Sequence, residues 1–208
     1  RWTGPTPIRT ASGLASTQDT SSITSYGLTF GLVGASKNTY AASPTAAGSK
    51  VFAGQPGKTY YYYAATFDAA DDESTPVVRY LAVPIDSSTF RYSRGWLRNA
   101  STSEYAGGSV TAVRPGAIAQ TSAAGTNYTL LARTGPAEGM LAVYLGAHLL
   151  TTLDLYSPTT QHQVAFPIYT AHTAPNRTFT FKVMGKHAVG STGARVYLDA
   201  LVASNVPE

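Results

Sequence analysis

One stretch, residues 139–157, constrains the fold of this chain more than any other. Leu141, Val143 and Leu145 alternate with Met140, Ala142 and Tyr144. This period of two is typical of a strand with one buried face. Gly146-Ala147 then predicts a two-residue turn, and residues 151–156 predict the returning strand. The sequence therefore predicts a central antiparallel hairpin in the second half of the protein.

Turn signals recur along the rest of the chain, as at Ser43-Pro44 and at residues 53–58, and no window holds a sustained 3.6-residue apolar period. Strand-sized segments at such spacing indicate sandwiches or barrels. We expect an all-β protein of two tandem antiparallel β-sandwiches. A short polar junction at residues 84–88 predicts a first domain over 1–85, which begins with a linker at 1–7, and a second domain over 86–208.

Composition narrows the classes of function. Only 12% of the residues are charged and there is no cysteine, so disulfides and thiolate sites are excluded. The net charge of +4 is carried by basic residues scattered along the chain, and we therefore expect no nucleic-acid partner. No apolar run reaches the ~20 residues of a membrane span, so we expect no membrane insertion. The sequence starts at Arg1, so we expect a processed product or part of a longer chain.

The first half contains a Pro56-Gly57 turn that leads into four consecutive tyrosines at 60–63. Over about residues 7–85 this arrangement resembles the fibronectin type III family, whose penultimate strand follows a Leu-x-Pro-Gly turn. The resemblance implies that Tyr60 is a tyrosine corner and that residues 19–24 approach the second strand. Gly54 stands where the family has its Leu, and Gly27 stands where the family has a Trp.

The second half carries motifs that recur in order, over about residues 89–204, in a β-sandwich module. This part resembles a jelly-roll related to carbohydrate-binding modules, found at the C-termini of secreted actinobacterial proteins, usually after a fibronectin type III domain. The turn of the module is usually Asp-Gly, and its strand before Gly-Pro often carries a Trp. This chain has neither. The motifs are Phe90-x-Tyr92-Ser93-x-Gly95-Trp96, Gly107-Gly108-Ser109, Gly116-Ala117, Gly135-Pro136-x-x-Gly139, Val143-Tyr144-Leu145, Leu153-Asp154-Leu155-Tyr156-Ser157 and Ser191-Thr192-Gly193-x-x-Val196-x-Leu198-Asp199-Ala200.

Candidate binding residues are aromatic, because a tyrosine ring stacks on the apolar face of a sugar. The alternative for each ring is packing in the core or against a neighbouring strand. Asp199 is the candidate for one calcium site in the sandwich, and calcium is the single cofactor that we consider. Asp154 and Asp199 lack the supporting acid of a glycosidase pair, so we expect no catalytic residue. The candidate stacking residues are Tyr61, Tyr63, Tyr105, Tyr128 and Tyr156.

These observations favour a non-catalytic structural or adhesive protein of the extracellular space or of a cell or virion surface. It would be a β-sandwich spacer and assembly subunit that associates with itself or with neighbouring structural subunits and contacts glycans. The first alternative is a carbohydrate- or cell-wall-binding accessory module of a secreted enzyme, and the second is a virion tail or decoration protein. We expect that the chain is not an enzyme, because no convergent set of titratable residues is readable.

Overall fold

The computed structural model describes residues 25–34, 38–40, 54–68 and 74–206. The chain divides into two compact units, one made of Arg1–Gly54 and Tyr60–Leu81 and the other made of Gln55–Thr59 and Ala82–Glu208. The expected linker at 1–7 and the expected strand approach at 19–24 lie outside the described residues. Within the described part, no helix is long and apolar enough to cross a membrane.

The first unit contains one antiparallel sheet among its described residues. Its strands are β1 (Ser25–Leu32), β2 (Asn38–Tyr40), β3 (Thr59–Phe67) and β4 (Val77–Ala82), in the order β2-β1-β3-β4. The Pro-Gly turn forms before β3, where Lys58 N–H donates to the Gln55 carbonyl and Gly57 has a φ of +73°. The predicted turn and tyrosine strand are therefore present. The fibronectin type III resemblance of this unit stays a prediction.

The second unit is built of short strands joined by tight turns. A single 3-10 turn at Ser87–Thr89 and another at Tyr105–Gly107 are its helical elements among the described residues. Its strands are β5 (Ile85–Asp86), β6 (Arg91–Tyr92), β7 (Trp96–Ala100), β8 (Gly108–Ala112), β9 (Ile118–Ala124), β10 (Asn127–Thr134), β11 (Met140–Leu145), β12 (His148–Asp154), β13 (Gln161–Thr170), β14 (Asn176–Val183) and β15 (Val196–Ser204).

Strand pairing in the second unit is nested around the predicted hairpin. β11 pairs with β12, β10 with β13, β9 with β14 and β8 with β15, all antiparallel. The resulting sheets run β13-β10-β15-β8-β7 and β12-β11-β14-β9-β6, with β5 beside β15. Four nested pairs wound into two sheets are the topology of a jelly roll. The predicted antiparallel all-β class and the jelly-roll fold of this unit are confirmed.

Apolar side chains from both sheets fill the space between them. In β14 the fully buried Phe179, Phe181 and Val183 alternate with more exposed polar residues, so one face of the strand points into the core. Leu130 of β10 and Leu198 of β15 meet these side chains from the opposite sheet. Alternation along each strand therefore determines which of its side chains lie in the core.

Alternation alone mispredicts β15. It places Leu198, Ala200 and Val202 on one face, but Leu131 of β10 pairs with Ala200 while the next residue, Ala132, pairs with Leu198. Asp199 is thus the extra residue of a β-bulge, which shifts the inward phase of the strand. Beyond the bulge, Leu201 and Ala203 join the core instead of Ala200 and Val202.

A tyrosine corner occurs in the second unit, at Tyr128. Its hydroxyl donates to the Gly125 carbonyl at 2.7 Å, three residues earlier in the chain. The ring packs on Phe179 with centroids 4.7 Å apart and on Tyr169 at 6.1 Å. The side chain ties the β9–β10 turn to the core, which is the role that the first-unit resemblance implies for Tyr60.

Glu138 and Arg133 form an ion pair in this unit, in which the carboxylate of Glu138 is buried. Glu138 is 2% exposed, and its Oε1 accepts from Arg133 Nη2 at 2.8 Å and from Arg133 Nε at 3.1 Å. The guanidinium carbon of Arg133 lies 3.3 Å from the ring centroid of Tyr197, so the cation is also covered by an aromatic face. The charge of Glu138 is therefore neutralised within the fold.

Candidate functional site

The outward face of the sheet β12-β11-β14-β9-β6 carries a continuous row of side chains that can bind a ligand. Tyr144 pairs with Leu149 on one side and with Thr180 on the other. Thr180 pairs with Gln120, and Gln120 pairs with Arg91. Residues directly opposite each other in antiparallel strands project from the same face of a sheet. The five side chains therefore form one row that crosses all five strands.

The row points away from the core because its neighbours along each strand are buried. Phe179 and Phe181 flank Thr180, and both are fully buried. Ala119, beside Gln120, is also fully buried, whereas Gln120 and Arg91 are exposed and Tyr144 is half-buried. The row is therefore open to solvent while its strands are held rigidly by the core beneath.

Hydrogen bonds between side chains hold the polar groups of this face in place. Gln120 Nε2 donates to Thr180 Oγ1 at 2.9 Å, and the hydroxyls of Ser122 and Thr178 lie 2.7 Å apart. A planar amide and a line of hydroxyls next to a half-exposed tyrosine ring are groups that bind a polyhydroxylated ligand. Because the hydrogen bond between them already restricts their rotamers, Gln120 and Thr180 have less side-chain entropy to lose on binding.

A second row runs beside the first on the same face. Lys182 pairs with Ile118 on β9 and with Ala142 on β11, which in turn pairs with Thr152 on β12. Lys182 is exposed. Together with Arg91 in the first row, it gives this face positive charge at the β14 and β6 strands.

The five tyrosines named from the sequence do not converge on one site. Tyr128 is 1% exposed and has no ring face open to a ligand, because it serves as the tyrosine corner; its assignment as a stacking residue is corrected. Tyr61 and Tyr63 lie on β3 in the first unit, where the ring of Tyr61 covers Gly31 of β1. Tyr105 and Tyr156 lie in the second unit and are treated next.

Tyr105 and Tyr156 are both half-buried and both lie outside the two rows. The backbone N–H of Tyr105 donates to the two oxygens of Asp199 at 2.9 and 3.1 Å. The Tyr156 ring packs at Gly190, where an added methyl group would lie 3.1 Å from the tyrosine oxygen. The Tyr156 ring therefore has a packing role, and the assignments of Tyr105 and Tyr156 as stacking residues stay predictions.

Asp199, the candidate calcium ligand, lies in a buried acidic environment. The residue is fully buried, and burial, followed by the nearby charges of Glu104 and Asp86, raises its pKa from 3.8 to about 6. Glu104 is itself 4% exposed and bonds His162 Nδ1 at 2.7 Å. Among the described residues no three Asp, Glu, His or Cys side chains form a group that could hold a metal, and the calcium assignment stays a prediction.

The two carboxylates considered as a glycosidase pair lie in different sheets. Asp154 ends β12, where its Oδ1 accepts from the Tyr156 N–H at 3.0 Å, and Asp199 lies within β15 of the opposite sheet. Each has a local structural partner. Neither carboxylate shares a cleft with the other in this arrangement.

Sequence reasoning missed Gln120, Thr180 and Arg91, although a signal for the first two was present. On β14, Thr178, Thr180 and Lys182 alternate with the two phenylalanines and Val183, and on β9 Gln120 and Ser122 alternate with alanines. This alternation predicts polar outward faces on both strands. The pairing of the two strands, which brings the polar faces side by side, requires the fold.

No protein-family model matches this chain, and no curated protein sequence matches it. Among solved structures it is similar to a Paenibacillus xanthan lyase, with a TM-score of 0.51 and 12% identity over 71% of this chain and 15% of that chain. It is also similar to the CBM36-1 domain of a multidomain xylanase from the hindgut metagenome of Trinervitermes trinervoides, with a TM-score of 0.42 and 12% identity over 62% of this chain and 100% of that chain. A family two carbohydrate esterase from Cellvibrio japonicus gives a TM-score of 0.44 and 16% identity over 61% of this chain and 34% of that chain.

These similarities concern the fold. The chain spans 15% of the length of the xanthan lyase, and the identity of 12% shows a shared β architecture and nothing finer. The structures that resemble this chain include a carbohydrate-binding module and domains of carbohydrate-active enzymes. The similarity to the xanthan lyase therefore agrees with the predicted all-β fold.

Proposed function

We propose that the second unit is a non-catalytic carbohydrate-binding module whose glycan lies across the outward face of the sheet β12-β11-β14-β9-β6. The row Leu149–Tyr144–Thr180–Gln120–Arg91 carries the proposal. It combines a stacking ring, an amide, a hydroxyl and a guanidinium on one open surface. These are the groups that meet the apolar face and the hydroxyls of a sugar.

The length of the row favours a polysaccharide chain over a single sugar. Neighbouring strands lie about 4.8 Å apart, so a row across five strands extends roughly 19 Å. The ligand would cross the strands, with a ring over Tyr144 and its hydroxyls bonded by Gln120 and Arg91. Leu149, which is 56% exposed, would cover an apolar ring face at the other end.

The similarity to a xanthan lyase supports this proposal over the structural-subunit hypothesis, because that protein is named for a polysaccharide. A module of this kind would act as an accessory part of a longer secreted protein, in the extracellular space. The separation of Asp154 and Asp199 into different sheets supports a non-catalytic role. We infer that the first unit is a fibronectin type III-like spacer ahead of this module.

Affinity electrophoresis of the full chain through gels with xanthan, arabinoxylan or a neutral β-glucan tests the proposal. We expect retardation by at least one of these polysaccharides. Tyr144→Ala should weaken binding about tenfold or more, and Tyr144→Phe should weaken it less because the ring is kept. Gln120→Ala should also weaken binding, whereas its matched control Gln161→Ala, at an exposed position of β13, should not.

Two results would contradict this assignment. Wild-type protein that migrates identically in all gels is not a glycan-binding module for these polymers. Binding that persists unchanged in Tyr144→Ala but is lost in Tyr156→Ala moves the site to the end of the sandwich near Gly190.

A structural role with self-association remains a second candidate, and β4 favours it. This strand lies at one edge of the sheet formed by the described strands of the first unit, and Val78, Tyr80 and Leu81 are 39%, 40% and 52% exposed. Exposed apolar edge strands pair readily with other chains. Light scattering over a concentration series tests this role: growth of assemblies that Tyr80→Lys abolishes supports it, and a monomer at every concentration contradicts it.

A further inference from the structure

A cavity of about 340 Å³ opens at the edge of the sheet, where β6 ends and β9 begins. Two of its lining residues, Arg94 and Arg114, are exposed arginines on different segments of the chain. The lining consists of Ser93, Arg94, Arg114, Pro115, Gly116 and Ala117. Two guanidinium groups at one cavity suit an anionic group, because their planar N–H donors match the oxygens of a carboxylate or sulfate.

The backbone on which Arg114 stands is fixed. Ala117 N–H donates to the Arg114 carbonyl at 3.1 Å, and Pro115 and Gly116, the latter with a φ of +79°, occupy the two central positions. Proline followed by a residue with positive φ is the signature of a type II turn. Gly95 lies against the Arg114 side chain, since an added methyl group there would lie 3.3 Å from the arginine Cβ. The cavity is therefore preformed on the Arg114 side.

Neither guanidinium at the cavity is neutralised. In the part of the chain that the structure describes, the side chains of Arg94 and Arg114 make no ion pair and no hydrogen bond. The carboxylate of Glu138 is already paired with Arg133 in the second unit. Unpaired cations at a concave, solvent-open surface attract a charge that the fold itself does not supply.

The cavity adjoins the β6 end of the second row through Ser93. Ser93 N–H donates to the Ile118 carbonyl at 2.9 Å, and Ile118 pairs with Lys182, so the cavity is the β6 end of the second row. Arg91, which ends the first row, is three residues before Arg94. A polymer that follows the second row toward β6 therefore reaches Ser93, which lines the cavity with the two arginines.

We propose that this cavity binds the carboxylate or sulfate group of an acidic polysaccharide, with Arg94 and Arg114 as its ligands. The inference rests on the proposed glycan-binding function and specifies the chemical class of the glycan. Lys182 and Arg91 would add to the electrostatic attraction without binding the anionic group directly. A neutral polysaccharide would leave both arginines of the cavity unpaired and would therefore bind less tightly.

The test compares polymers that share a backbone and differ in charge. Binding of the full chain is measured on polygalacturonate against its methyl-esterified form, and on dextran sulfate against dextran. We expect at least one acidic polymer to bind about tenfold more tightly than its neutral partner, and this preference to shrink between about 50 and about 500 mM NaCl, where charge is increasingly screened. The pair that shows the preference identifies carboxylate or sulfate as the bound group.

The double variant Arg94→Gln/Arg114→Gln should lose the preference for the acidic polymer. Its control, Lys58→Gln/Arg79→Gln, lowers the net charge equally at exposed positions remote from the cavity in sequence and should keep it. Equal binding of each acidic and neutral pair, or a preference that survives in the cavity variant, refutes the anion site. If neutral and acidic polymers bind alike but Tyr144→Ala weakens the binding of both polymers, the glycan-binding function stands without the anion site. Binding to no polymer refutes both proposals.

Discussion

Replacing Asp199 with asparagine should change how the stability of the fold depends on pH. Burial, together with the charges of Glu104 and Asp86, raises the pKa of this carboxyl from 3.8 to about 6, against the opposing hydrogen bond from Tyr105 N–H. Because the folded state holds this proton more tightly than the unfolded state, the contribution of Asp199 to stability is greatest below about pH 4. It is lost as the pH rises through about 6. Asparagine stays neutral over this range, and its side-chain oxygen can still accept from Tyr105.

The magnitude follows from the two pKa values. Each pKa unit corresponds to about 1.4 kcal/mol, so ionisation of Asp199 costs the fold about 3 kcal/mol at neutral pH relative to acid. The residue is fully buried, so solvent screens this cost little. The unfolded carboxyl is already partly ionised at pH 4, so the free energy of unfolding of Asp199→Asn, minus that of the wild type, should rise by about 2.4 kcal/mol between pH 4 and pH 7.5. Any change in hydrogen-bond strength adds a constant that does not depend on pH.

Urea unfolding of both proteins at several pH values measures this difference. Asp154→Asn, the same substitution at an exposed position at the end of β12, corrects for the loss of one carboxylate from the net charge. A difference between Asp199→Asn and wild type that stays flat from pH 4 to pH 7.5 contradicts the reasoning. If the wild type becomes more stable as the pH rises and the variant does not, folding lowers the pKa of Asp199 instead of raising it.

Three other substitutions test contacts of the second unit by urea unfolding. Tyr128→Phe removes the corner hydroxyl and should cost about 1 kcal/mol. Glu138→Gln leaves Arg133 without its buried partner and should cost about 2 kcal/mol or more. Gly185→Ala places a methyl group against Pro115 at a positive φ and should cost about 1–3 kcal/mol. A variant as stable as wild type refutes the corresponding contact.

The hairpin β11–β12 could be predicted from the sequence because its determinants are local. Leu141 and Val143 alternate with their neighbours, and Gly146 takes the positive φ that a two-residue turn requires. Its place as the innermost of four nested pairs is a long-range property. The sequence motifs indicated it only through resemblance to a jelly-roll module, since alternation does not say which strands pair.

The bulge at Asp199 shows where alternation fails. Leu198, Ala200 and Val202 present a regular pattern that predicts one inward face, yet Leu201 and Ala203 occupy the core after the bulge. Apolar residues on both sides of the strand made either phase acceptable. A buried carboxylate in the middle of such a strand is the one cue that the pattern breaks there, because a charge is costly to bury in regular structure.

The candidate site could not be predicted from residue type. The same residue type serves both roles here, because Tyr128 occupies the buried corner position whereas Tyr144 lies on the open face. The partners of Tyr144 come from other strands: Gln120 and Thr180 are 60 residues apart in the chain and form a hydrogen bond. Only the register of the paired strands places them in one row.

The positive charge of the chain was misleading in sequence for the same reason. Arg91, Arg94, Arg114 and Lys182 are spread over more than 90 positions, and scattered cations indicate solubility rather than a binding site. The pairing of β6 with β9, and of β9 with β14, places the segments that carry them side by side in a single sheet. The Asp199 carboxyl lies in the opposite sheet and is fully buried. Nested strand pairing thus converts dispersed cations into a local positive field, and separation along the chain does not measure separation on the surface.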